Sequence, residues 1–83
     1  MANFGKIVVK GLEDTETIDV RKQLGNSLYY GSRDLKGTEL GRKIYFSSGE
    51  VDLHEEEKKI IAATLEQMYP SYVIRQAIIE AMQ

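Results

Sequence analysis

VDLHEEEKKIIAATLEQM, residues 51–68, decides how the rest of the chain is read, because a start signal, a charge gradient and an apolar stripe coincide in it. Ile60, Ile61, Leu65 and Met68 recur at steps of three and four and form one stripe of a helix. Alternation at period two fails, since Ile60 and Ile61 are adjacent and two good helix formers, Ala62 and Ala63, follow. Glu55, Glu56 and Glu57 fall in the first turn, where unpaired N–H groups and the positive end of the helix dipole favour carboxylates. Asp52 with Glu55 has the spacing of a capping box and His54 with Glu57 is the poorer alternative, so the start lies between Asp52 and His54. Pro70 removes a donor and biases Tyr69 away from helical angles, which sets the stop.

Outward from that helix, SYVIRQAIIEAMQ places Ile74, Ala77, Ile78 and Ala81 on one face behind Ser71 as cap. The tight connection Tyr69–Ser71 then predicts an αα-hairpin at the C-terminal end. Upstream, Val51–Leu53 reads as extended and Ser47–Glu50 as a turn. Residues 38–46 stay open between a short helix capped by Thr38 and a strand KIYFS, with the helix preferred because Leu40 and Ile44 share a face. A further helix is expected near 18–30, begun by Thr17 or Asp19 and ended by Gly31, with Val20, Leu24 and Leu28 in line. Gly25 inside it costs about 1 kcal/mol relative to alanine and calls for a reason, namely close approach of another helix.

Leu12–Glu16 reads as a polar loop and Met1–Asn3 as frayed, while KIVVK at 6–10 is β-branched, closed by Gly11, and reads as a strand. A lone strand must pair, and Val51–Leu53, KIYFS or a second copy of the chain are the candidates. The unpaired edge, together with an apolar terminal helix reaching Met82, favours a homodimer held through Val8 or Met82. The fold class is therefore α+β and helix-dominated: one short N-terminal strand and three main helices near 18–30, 53–68 and 71–82, the last two forming the hairpin. The expected core is Ile7, Val9, Ile18, Leu24, Leu28, Leu40, Ile44, Val51, Leu53, Ile60, Ile61, Leu65, Ile74 and Ile78.

Eighty-three residues fit one small globular domain spanning 1–83, and 42% apolar with 29% charged residues is the balance of a folded soluble chain. Absence of cysteine removes disulfides, thiolate metal sites and a cysteine nucleophile. No apolar run approaches the roughly 18 residues of a membrane span, and no basic segment followed by an apolar core opens the chain, so a cytoplasmic location is expected.

The net charge of −2 is unevenly spread. Arg21, Lys22, Arg33, Lys36, Arg42 and Lys43 against Asp34 and Glu39 make residues 21–43 basic, between two acidic segments. With Tyr29 and Tyr30 inside it, this segment is the one feature suited to nucleic acid, since phosphates pair with Arg and Lys and bases stack on Tyr. Against that, the whole chain is acidic, with a pI near 5.4. Other chemistry is not assembled: His54 stands alone before a helix, the Glu55–Glu57 carboxylates diverge by about 100° per residue, and Gly31, Gly37 and Gly41 lack the GxxxxGK[ST] pattern of a phosphate loop. No catalytic, cofactor or metal residue is assigned.

LGNSLYYGSRDLKGTELGRKIYFSSGEVDLHEEE, covering roughly residues 20–60, resembles small proteins encoded in phage and prophage genomes, which pair an LGxxLY-type helix with an IY turn and a GEVxL segment before an acidic helix start. The resemblance implies a mobile-element accessory protein and supplies no catalytic residues. The expected function is a non-enzymatic protein-interaction module with an unidentified protein partner. The alternative is nucleic-acid binding through Arg21, Lys22, Tyr29, Tyr30, Arg33, Lys36, Arg42 and Lys43.

Overall fold

The computed structural model describes residues 2–83 and places two strands and four helices in the order β1 (Ile7–Lys10), β2 (Thr15–Ile18), α1 (Arg21–Gly31), α2 (Leu35–Tyr45), α3 (Glu55–Met68) and α4 (Tyr72–Ala81). KIVVK pairs antiparallel with TETI, in the register Ile7↔Ile18 to Lys10↔Thr15. This corrects the loop reading of Leu12–Glu16. Thr15, Glu16 and Thr17 are polar on both faces, so no alternation marks them, yet a strand four residues away is the nearest partner in sequence and takes the pairing. Neither KIYFS nor Val51–Leu53 is the partner of β1.

Val51 pairs instead with Ala2: the Ala2 N–H donates to Val51 O at 3.0 Å and the Val51 N–H to Ala2 O at 2.7 Å. Ala2 and Asn3 are therefore not frayed; Met1 lies outside the described residues. The Asn3 side-chain oxygen accepts the Gly5 N–H at 3.0 Å, and Phe4 O accepts the Val20 N–H at 2.8 Å. These bonds turn the chain so that Phe4 enters the core.

The helices follow their start and stop chemistry, with shifted bounds. α1 begins later than Thr17 or Asp19, although the Asp19 carboxylate still accepts the Arg21 N–H at 3.0 Å. α2 replaces the open 38–46 element and starts three residues before Thr38, at Leu35, behind the N-cap Asp34, whose carboxylate accepts the Gly37 N–H at 3.0 Å. The Thr38 hydroxyl donates to Asp34 O at 2.9 Å rather than capping. For α3 the second capping arrangement operates: His54 occupies the N-cap, and Glu57 accepts its N–H at 2.8 Å. α3 ends at Met68 before the extended Tyr69, and Ser71 caps α4 by accepting the Ile74 N–H at 3.4 Å. Arg75 closes the connection by donating to Tyr69 O and Pro70 O at 2.8 and 3.1 Å.

Nine of the expected core residues are buried: Ile7, Leu24, Leu28, Leu40, Ile44, Val51, Ile61, Leu65 and Ile78. Val9, Ile18, Leu53, Ile60 and Ile74 lie partly buried at its margin, and Ala2, Phe4, Val20 and Met82 join it. Met82 is 4% exposed, so its side chain is covered within the chain. α4 packs chiefly on β1 and touches α3 less, whereas the closest helix pair is α1 with α2, joined by the three residues Ser32–Asp34. Among the described residues no helix is long and apolar enough to cross a membrane.

Candidate functional site

The α1/α2 hairpin owes its closeness to two glycines. A Cβ on Gly25 would lie 2.9 Å from Gly41 O and 2.7 Å from Tyr45 Cβ, and one on Gly41 would lie 2.6 Å from Gly25 O. Only hydrogen fits between the two backbones, which is the close approach that an interior glycine at position 25 implied. Leu24 and Leu28 of α1 and Leu40 and Ile44 of α2 point into the core. On the opposite side the glycines floor an open groove of about 330 Å³ lined by Gly25, Asn26, Tyr29, Tyr30, Gly41, Arg42, Tyr45 and Phe46.

Its walls are aromatic. Tyr29 and Tyr30 meet edge to face, 5.2 Å between ring centroids, and Tyr45 and Phe46 do the same at 4.8 Å. Arg42 Cζ stands 5.8 Å from the Tyr29 centroid, within reach of a cation–π contact. Tyr30 is 81% and Phe46 75% exposed. Large apolar residues clustered at the surface of so small a chain mark a contact surface more than scattered ones do.

Of the eight residues read as suited to nucleic acid, Tyr29, Tyr30 and Arg42 come together in this groove. Three others serve the fold. Arg21 grips Asp19 bidentately, with Nε to Oδ1 at 3.0 Å and a terminal nitrogen to Oδ2 at 2.6 Å, and donates to Ser47 O at 2.7 Å. It thereby clasps the end of the β-hairpin to the turn after α2. Lys36 pairs with Glu56 at 2.6 Å. Lys43 donates to Asp52 O at 2.6 Å and stands 3.7 Å from Glu57. These two bonds tie α2 to the start of α3, and the Glu56 carboxylate raises the Lys36 pKa. Lys22 and Arg33 form no ion pair among the described residues. His54 is exposed at the α3 cap, and no group of three or more His, Cys, Asp or Glu side chains among the described residues is placed to hold a metal ion.

The Arg21 side chain and N–H together hold the Asp19 carboxyl down to about 2 from 3.8. A carboxyl depressed in the folded chain adds stability above its unfolded pKa, and this is lost as pH falls from about 3.8 towards 2. Both partners are substantially exposed, so solvent screening keeps the contribution of the pair small. Asp19→Asn is expected to flatten the acid limb of stability against pH in this window while leaving the neutral-pH value nearly unchanged. Superimposable acid limbs in urea titrations of the two proteins would contradict the clasp.

Tyr45, Phe46 and Asn26 were not singled out in the sequence as site residues. The signal was there, in two aromatic pairs each near the end of a helical segment, but their apposition depends on the Gly25–Gly41 contact. Compared with protein-family models, with curated proteins and with solved structures, the chain matches none of them.

Proposed function

We propose that the chain is a non-enzymatic protein-interaction module that receives a peptide segment of its partner in the α1/α2 groove. The observation that carries this reading is the quartet Tyr29, Tyr30, Tyr45 and Phe46 held open around a glycine floor. Tyrosine and phenylalanine offer large contact areas with few rotors to freeze, which is why they dominate binding hot spots. Arg42 adds a charge-assisted donor beside the rings. An accessory role for a mobile element, suggested by the resemblance of residues 20–60, and a cytoplasmic location are parts of the same proposal.

Selection of displayed peptides on the intact protein tests it. Recovered sequences are expected to carry an apolar residue beside acidic ones, and Tyr30→Ala is expected to weaken them at least about tenfold. Equal affinity for both proteins would remove the groove from the reading. Single-stranded nucleic acid is the second reading, favoured by Lys22 and Arg33, which lack ion-pair partners near Tyr29 and Tyr30 in sequence. Against it, Arg21, Lys36 and Lys43 are engaged with acidic side chains or backbone carbonyls. Oligonucleotide affinity that falls steeply with salt would establish the second reading, and no binding even at low salt would remove it.

A further inference from the structure

The apex of the β-hairpin has the chemistry the groove lacks. Leu12, in the turn Gly11–Asp14, is 107% exposed, and every residue from Lys10 to Thr17 is exposed. Glu13, Asp14 and Glu16 surround it and form no ion pair among the described residues. An apolar side chain at the apex of an acidic turn is a knob without a hole. The groove presents the converse: aromatic walls, Arg42 in the lining, only loosely paired with the exposed Glu39 at 3.9 Å, Lys22 on the helical stripe of Asn26 and Tyr29, and no acidic residue in the lining.

We propose that the hairpin tip of one copy docks in the α1/α2 groove of the next, with Leu12 among the aromatic rings and Glu13, Asp14 and Glu16 facing Lys22 and Arg42. This rests on the reading of the groove as a protein-docking surface and names its occupant as a second copy of the chain. The tip does not fill the groove of its own chain, because Leu12 is fully exposed there. Tip and groove are different surfaces, so the contact either propagates into rings or open chains or is reciprocated by two copies across a two-fold axis. A contact built on one turn is at the small end of interfaces, and its exposed charges make it weak and salt-sensitive.

Sedimentation equilibrium of the intact chain at low salt, up to about 1 mM protein, tests the proposal. The average mass is expected to rise above 9.4 kDa, and to fall back when salt is raised from about 0.05 to about 0.5 M. Leu12→Lys, which keeps the groove, and Tyr30→Glu, which keeps the tip, are each expected to stay monomeric. Mixed in equal amounts they are expected to form a species of two chains and nothing larger, since each supplies one half of a single contact. Both positions are exposed, and circular dichroism checks the fold; Leu12→Ser and Arg42→Glu replace either variant that unfolds.

A wild-type mass fixed at 9.4 kDa overturns self-docking. So does association that survives both substitutions, which would move the interface elsewhere, for example to the exposed Val8, Tyr72 and Val73. A mixture of variants that stays monomeric also overturns it. If wild type is monomeric but selected peptides still bind and lose affinity in Tyr30→Glu, the groove remains a docking site for another protein and only the second copy is excluded. If neither peptides nor a second copy bind and oligonucleotides do, both readings fall.

Discussion

Replacing Phe4 with alanine is expected to cost about 3–5 kcal/mol, the range for deleting a buried aromatic ring. The side chain is 0% exposed and sits in the same cluster as Ile7, Val20 and Val51. Its backbone is fixed as well: Phe4 O accepts the Val20 N–H at 2.8 Å, and Ala2 on one side is paired to Val51. The surroundings therefore cannot collapse into the vacated space without breaking those bonds, which places the cost towards the upper end of the range. A chain of this length has roughly 4–12 kcal/mol of stability in all, so the loss is expected to remove between about a quarter and the whole of it. Urea denaturation measures it, with the exposed Lys6→Ala as a control expected to change stability by less than about 0.5 kcal/mol. A Phe4→Ala midpoint equal to that of the control would show that the N-terminal segment does not contribute to the core.

Phe4 also shows where sequence reasoning loses its grip. Three of the helices were legible because each carries its own periodicity and a start or stop signal: Ile61 and Leu65 before Pro70, Leu24 and Leu28 before Gly31, Ser71 ahead of Ile74 and Ile78; α2, with only Leu40 and Ile44 in line, stayed open between helix and strand. Ala2-Asn3-Phe4-Gly5 has no period to read. What orders it is a pairing with Val51 and a bond from Val20, both distant in sequence. β2 was missed for a related reason, since Thr15-Glu16-Thr17 has polar side chains on both faces and gains its strand geometry only from β1.

The charge pattern misled in a different way. Residues 21–43 read as a basic field, yet charge counted along the chain takes no account of which acids fold against it. Glu56 and Glu57, assigned to the dipole of α3, come to Lys36 and Lys43, and Asp19 comes to Arg21. Of the basic segment only Arg42 lines the aromatic groove, and it stands 3.9 Å from Glu39. One inference did carry through to the site: a glycine at position 25 needed a neighbouring helix, and that helix brought Tyr45 and Phe46 with it.

Gly41→Leu is therefore expected to remove the groove and to cost at least about 3 kcal/mol, beyond the usual range for overpacking, because the obstacle is backbone. A Cβ at this position would lie 2.6 Å from Gly25 O and 2.7 Å from the Tyr29 nitrogen, and neither atom can rotate away as a side chain would. The α1 and α2 axes must separate, which opens the seam above Leu28 and Ile44. Gly41→Ala states the argument most sharply. Helix propensity alone assigns it a gain of about 1 kcal/mol, so a net loss can come only from the contact. Gly31 provides the matched control: nothing lies within 4 Å of a Cβ built there, and its φ is not positive. Gly31→Ala is expected to be neutral or to stabilise by up to about 1 kcal/mol. Opposite signs for the two alanine variants in urea denaturation confirm the seam, whereas a Gly41→Ala protein as stable as Gly31→Ala would show that the helices do not touch there. The double variant Gly25→Leu with Gly41→Leu is expected to lose less than the two single losses together, since helices already forced apart by one side chain leave room for the second.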